Sequence, residues 1–258
     1  KSFAKNTTVR VSYINIKYLW YNFVIKRGVD DVEKIAIITD SSCDLDKDTI
    51  EKHDIKILPL RVIYKDRDFA DRVDITPSEV YNHLQIEIPT TSLPSMKDIE
   101  DVLDSIAQQG YTHAIAVMMS SGLSATYNAV KLASEKRKNI VIDVYDSKTL
   151  SMGLGLLVEE CAKMAKSGLS FQAILDNLPS IRKRIDVFYV LDTLEYLKKG
   201  GRIGKVSATI GELLNIRPII SVDDTGKYFT FAKTRGRRRS VDKLIEIAMF
   251  SLKIKQIR

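Results

Sequence analysis

From Lys34 onward the apolar positions follow two rhythms. Short, nearly unbroken apolar runs occupy residues 34–39, 55–64, 113–119 and 140–145. Runs of that length between polar turns predict strands buried on both faces. Helical patterning is predicted over 95–110, 124–137, 149–166 and 171–184. A further helix start lies at Thr76-Pro-Ser-Glu79, which offers a Thr cap, Pro at the first helical position and Glu three residues after the cap. Pro59 demotes the middle of 55–64 to an edge or a bend. Residues 186–191 read as another strand, 216–222 and 227–233 as a hairpin around the turn 223–226, and 240–254 as a closing helix.

Strands alternating with helices of this length imply βαβ units. The expected fold is α/β: an open, doubly wound, mainly parallel sheet covered on both faces, with ligands beyond the carboxyl ends of its strands. The hairpin and last helix predict a second, smaller mixed α/β domain. The boundaries read as 34–184 and 185–258, with residues 61–73 free to pack with the second domain. Two or three strands and one helix are a thin core, so this second domain reads as incomplete. Residues 1–33 are an appendage; their aromatic-rich apolar stretch is broken by Lys17 and Asn22 and falls short of the roughly 20 residues a membrane span needs.

A chain of 258 residues with 45% apolar content can bury a core without disulfides or metals. Cys43 and Cys161 stand far apart in sequence and read as reduced thiols of a cytoplasmic protein. Three histidines without metal-ligand spacing predict no zinc or haem site. Of the net charge of +7, residues 225–258 carry ten basic against two acidic side chains, so the basic character is concentrated at one end. That placement suits a localised anionic partner better than a nucleic-acid-coating surface. The run 233–239, with Lys233, Arg235, Arg237, Arg238 and Arg239, lacks the interleaved aromatics of direct nucleic-acid reading; nucleic-acid binding is an alternative and not the expectation.

Two hydroxyl-rich turns carry the candidate chemistry. Residues 89–94, with Thr90, Thr91 and Ser92, and residues 120–124, with Ser120, Ser121 and Ser124, both lie where strands meet helices. Such places offer backbone N–H groups and hydroxyl donors to a carboxylate or phosphate; ordinary capping is the competing use. Gly122-Leu-Ser124-Ala-Thr126 approaches the nucleophile elbow of serine hydrolases. That chemistry needs a histidine after the serine, yet His53, His83 and His113 all precede Ser124. A serine acyl-hydrolase is therefore the runner-up. Gly200–Lys205 fails the phosphate-loop spacing, because Lys stands at 199 and Val at 206, and Gly153-Leu-Gly155 lacks the third glycine of a dinucleotide fingerprint. Asp40 and Asp44 flank the turn after the first strand and read as caps.

In their order these pieces resemble the DegV family of bacterial fatty-acid-binding proteins. The likeness runs over 34–258 and rests on residues 34–45, 57–60, 90–94, 120–127, Asp146-Ser147, 197–203, Arg217-Pro218 and Thr234-Arg235. It implies two α/β domains with a long-chain fatty acid between them. Its carboxylate would be held by Thr91 and Ser124, with Ser92 and Ser121 close by. It also implies a carrier without its own catalysis or cofactor, whose partner is a fatty acid kinase that converts the bound carboxylate to an acyl phosphate. Arg202 and Arg235 match arginines tied to that kinase step, and are expected to serve the kinase and not lipid retention. Ala125 stands where the family commonly has Gly. The resemblance further implies a His- and Gly-bearing segment after Arg258 that completes the carboxylate site.

Overall fold

The computed structural model describes residues 33–209 and 216–256; the expected appendage lies outside them apart from Glu33. Its centre is a parallel four-stranded sheet of β1 (Ile35–Asp40), β2 (Lys56–Leu58), β6 (His113–Met118) and β7 (Val141–Asp146), in the order β2-β1-β6-β7. The two central strands are apolar at every position over 35–38 and 114–118 because both faces are covered there. On one face Ile37, Ile115 and Val117 pack with Leu154, Leu157 and Val158 of α5 (Ser151–Lys166) and with Ile174 and Leu178 of α6 (Phe171–Arg182). On the other, Ala36, Ile38, Ala114 and Ala116 meet Ile99, Leu103 and Ile106 of α3 (Met96–Gln108) and Val130 of α4 (Thr126–Ser134). Alternate residues of one strand thus feed two cores, the period-two geometry of a strand. At about 1.5–3 kcal/mol per fully buried large side chain, these two layers supply the main stabilisation of the sheet.

Helix starts follow their local chemistry. Thr76 and Glu79 form the capping box that opens α2 (Pro77–His83), and Ser95 with Asp98 forms another that opens α3. Asp40 caps a short 3-10 turn, Ser41–Cys43, and α1 (Lys47–His53) follows, capped by Asp46.

The expected single strand over 55–64 is in fact two. Pro59 cannot donate to a ladder, and the Leu60 N–H leaves the sheet to bond the Ser41 hydroxyl at 3.1 Å. The chain then enters a second sheet, antiparallel and three-stranded, of β3 (Arg61–Ile63), β4 (Asp68–Ala70) and β5 (Thr90–Ser92), in the order β4-β3-β5. The hydroxyl-rich segment read as a turn is therefore an edge strand, with Thr91 opposite Val62. The strand expected over 186–191 also leaves the parallel sheet. It is β8 (Phe188–Val190), paired antiparallel with β9 (Ile216–Val222), which forms the expected hairpin with β10 (Tyr228–Arg235). A short helix α7 (Glu195–Lys199) precedes the glycine-rich turn. The closing helix α8 (Arg237–Gln256) begins three residues before the expected start, so Arg237, Arg238 and Arg239 form its first turn.

Candidate functional site

Beyond the carboxyl ends of β2 and β6, the place an open α/β sheet reserves for ligands, lies a cavity of about 730 Å³. That volume falls in the small-molecule range of roughly 300–1,000 Å³. Its wall is largely aliphatic and aromatic: Leu60, Val80, Leu84, Ile88, Met119 and Leu123 contribute, with Tyr81, Tyr196 and Tyr228. The polar part comes from separate elements. Thr91 and Ser92 project from the edge strand β5, Ser124 from the turn between β6 and α4, and Arg202 from the glycine-rich turn after α7. Three of the four expected carboxylate residues thus share one wall.

The fourth does not line it. Ser121 donates both its N–H (3.1 Å) and its hydroxyl to Asp146 at the end of β7. Burial works to raise the Asp146 pKa, but hydrogen bonds from Ser121 and Lys148 outweigh it and hold the carboxyl below its usual range. The turn has also spent its backbone donors. Gly122 N–H bonds the Ser120 hydroxyl, and the Leu123 and Ser124 N–H groups bond the Ser120 carbonyl at 3.0 and 3.1 Å. The N–H groups of residues 121–124 are therefore all taken, and only side-chain donors of this turn remain for a ligand.

Ser124 Oγ lies 2.8 Å from Thr126 Oγ1 and accepts the Thr126 N–H at 3.3 Å. None of His53, His83 or His113 lines the cavity, so Ser124 has no histidine base among the described lining residues. Asp40 and Asp44 are each occupied separately. Asp40 is fully buried, which raises its pKa, and it accepts from Met119 N–H at 2.8 Å and from Ser42. Asp44 pairs with Arg72 and accepts from Ser151. Among the described residues no cluster of His, Cys, Asp and Glu could hold a metal, and no helix is long and apolar enough to cross a membrane.

The two arginines part company. Arg202 lies in the cavity wall, its Nη1 donating to Gly200 O at 2.7 Å and its Nε to Leu123 O at 3.3 Å. Arg235 is exposed at the end of β10 and lies outside the lining. Tyr228 went unnoticed in the sequence, as did the seat of the hairpin turn on the 120–124 turn. There the Ser120 hydroxyl donates to Gly226 O at 2.7 Å. These contacts join residues about a hundred positions apart, which no local pattern signals.

Residues 34–257 match the family model described as "Uncharacterised protein, DegV family COG1307". The chain belongs to the DegV family. A DegV domain-containing protein of Clostridium acetobutylicum is 53% identical over 216 residues, spanning 84% of this chain and 77% of that protein. One from Clostridium perfringens is 50% identical over 218 residues, 84% of this chain and 78% of its own length. Among solved DegV-like folds, a stearic-acid-binding protein of Eubacterium ventriosum is 32% identical, with a TM-score of 0.78 over 86% of this chain and 78% of that one. The fatty acid binding DegV of Bacillus subtilis is 26% identical, with a TM-score of 0.78 over 84% and 77%.

Proposed function

We propose that this DegV protein binds a long-chain fatty acid in the 730 Å³ cavity, with the carboxylate at Thr91 and Ser124 and Ser92 beside them. The observation that carries this reading is the composition of the lining: hydroxyls from two distant segments, Thr91 with Ser92 and Ser124, face one largely apolar cavity. A carboxylate taken out of water needs several donors, and an acyl tail needs apolar surface. The solved relatives that bind fatty acids support it. Ser121 acts indirectly in this reading, by tying the 120–124 turn to Asp146. The cavity would lie between a first domain over 34–184 and a second over 185–258.

The protein is a carrier without catalysis of its own in this account, and presents the carboxylate to a fatty acid kinase for acyl phosphate formation. Support comes from charge placement. Arg237, Arg238 and Arg239 sit in the first turn of α8, where the helix dipole disfavours cations by about 0.3–1 kcal/mol each. Arg237 is paired with Asp192; Arg238 and Arg239, kept there against the dipole, suit a phosphate-bearing partner by their bidentate geometry, and Arg235 stands at the same end. Calorimetry of the delipidated protein with oleate tests the binding step: saturable binding is expected, and no heat of binding with intact fold would end this reading.

A further inference from the structure

The chain changes sheets at Leu60, and both backbone polar groups of that residue are held from outside the ladders. Its N–H donates to Ser41 Oγ at 3.1 Å, and its carbonyl accepts the Asp71 N–H at 2.8 Å. The Ser41 hydroxyl donates in turn to Asp71 Oδ2 at 2.6 Å, which closes a ring of three residues. Ser41 belongs to the turn after β1 and Asp71 to the turn after β4, so the ring clamps the antiparallel sheet to the parallel one. Beside it, Arg72 Nη2 meets Asp44 Oδ1 at 2.5 Å, and the other Asp44 oxygen accepts from Ser151 Oγ at 2.5 Å, where α5 begins.

The antiparallel sheet cannot fix its own place by packing. Its strands have three residues each, and its apolar cluster is Val62, Tyr64 and Ile75, with Phe69 and Val80 against them. Among the described residues β5 has β3 as its one neighbour. Ser92 and Thr91 stand opposite Arg61 and Val62, the first two residues after the clamped Leu60, which itself lines the cavity. The backbone is strained where the clamp closes. Asp44, Arg72 and Ser151 have φ of +55°, +62° and +54°, three of the five non-glycine residues with such backbone among those described, and they meet at one ion pair. L-residues adopt that conformation at a cost, and such strain gathers at functional sites. Both side chains of the pair are part-exposed, and pairs of that kind add little to overall stability.

We propose that Asp44, Arg72, Asp71 and Ser41 are positioning residues for lipid binding. The clamp fixes the antiparallel sheet against the parallel one, and thereby the place of Thr91 and Ser92 relative to Ser124. None of the four lines the cavity, so they act through Leu60 and β3 and not by touching the ligand. This rests on the fatty-acid reading and adds to it the residues that set the spacing of its two hydroxyl-bearing segments.

The test is calorimetry with oleate on delipidated full chain, alone and with Asp44→Asn, Arg72→Gln, Arg72→Lys, Thr91→Val and the Asp44→Asn/Thr91→Val pair, with urea unfolding of each. Asn tolerates left-handed backbone, so Asp44→Asn removes the charge and keeps the turn. It should weaken oleate at least about threefold while the urea midpoint barely moves. Arg72→Gln should lose as much, and Arg72→Lys much less, because Asp44 meets a single nitrogen of Arg72. Thr91→Val should cost less in the Asp44→Asn background than in wild type, since the hydroxyl is already displaced. The combined loss should fall short of the product of the single losses by at least about threefold. Arg137→Gln, which breaks an ion pair with Asp104 away from the cavity lining, should leave oleate binding unchanged. Folded Asp44→Asn and Arg72→Gln proteins with wild-type affinity overturn the proposal. So do losses that multiply to within about twofold, and so does equal weakening by Arg137→Gln. Wild-type protein that binds no oleate removes the fatty-acid reading and this proposal together, whereas those three results remove the proposal alone.

Discussion

Replacing Gly226 by Ala puts one methyl group where the hairpin turn meets the hydroxyl turn. Gly226 has φ of +76°, and a Cβ there would lie 1.9 Å from Ser120 Oγ, 3.1 Å from Ser120 Cβ and 3.3 Å from Lys148 Cδ. Ser120 cannot easily yield. It is fully buried, its hydroxyl donates to Gly226 O, and the same oxygen accepts the Gly122 N–H. Left-handed backbone costs a non-glycine residue about 1–2 kcal/mol. Breaking the buried Ser120–Gly226 bond adds about 1–3 kcal/mol, for a sum of about 2–5 kcal/mol. Gly168→Ala isolates the first part, since Gly168 has φ of +83° and a Cβ added there would meet nothing within 4 Å. Urea unfolding of both variants measures the difference. Gly226→Ala should lose at least about 1 kcal/mol more than Gly168→Ala, and should also bind oleate less well because Tyr228 shifts with the turn. Equal losses in the two variants would refute the seat as a stabilising contact.

Ser124→Ala should weaken oleate binding while hydrolysis of a chromogenic acyl ester stays at background in both proteins; wild-type turnover abolished by the substitution would revive the hydrolase alternative. With a cognate kinase and ATP, Arg235→Ala should keep its bound lipid while acyl phosphate formation falls; unchanged formation returns that residue to a solvated surface. Asp146 is held below the usual carboxylate range by Ser121 and Lys148 despite its burial, so its stabilisation is present above the unfolded value of about 4 and is lost as pH falls through its lower folded value. Urea midpoints of wild type and Asp146→Asn should therefore differ at neutral pH and converge in acid; a gap that persists at low pH contradicts this assignment.

The parallel sheet was legible because its signal is local and redundant. Residues 35–38 and 114–118 are apolar at every position, as strands covered on both faces must be. Thr76 and Ser95 announced their helices through the capping chemistry itself. Pro59 signalled a break without revealing that the chain changes sheets there, since Val62 pairs with Thr91, nearly thirty residues on. The strand Thr90–Ser92 carries no apolar alternation, and its hydroxyls suggested a turn equally well. For the site, hydroxyl-rich segments marked two regions and the family resemblance singled out Thr91 and Ser124 within them; both line the cavity. Nothing in the residues around Ser121 shows that β7 ends beside it and claims it through Asp146. Arg202, classed by resemblance with Arg235, is drawn into the cavity by the carbonyls of Gly200 and Leu123. The bond to Leu123 is a tertiary contact, and local sequence is silent on it.

The most direct test of the central claim is native mass spectrometry of the protein purified from bacterial cells, beside the Thr91→Val/Ser124→Ala double variant. The account predicts a wild-type adduct with the mass of an ordinary long-chain fatty acid, one per chain, much reduced in the folded double variant. A wild-type spectrum that stays free of adduct even after incubation with oleate would contradict it.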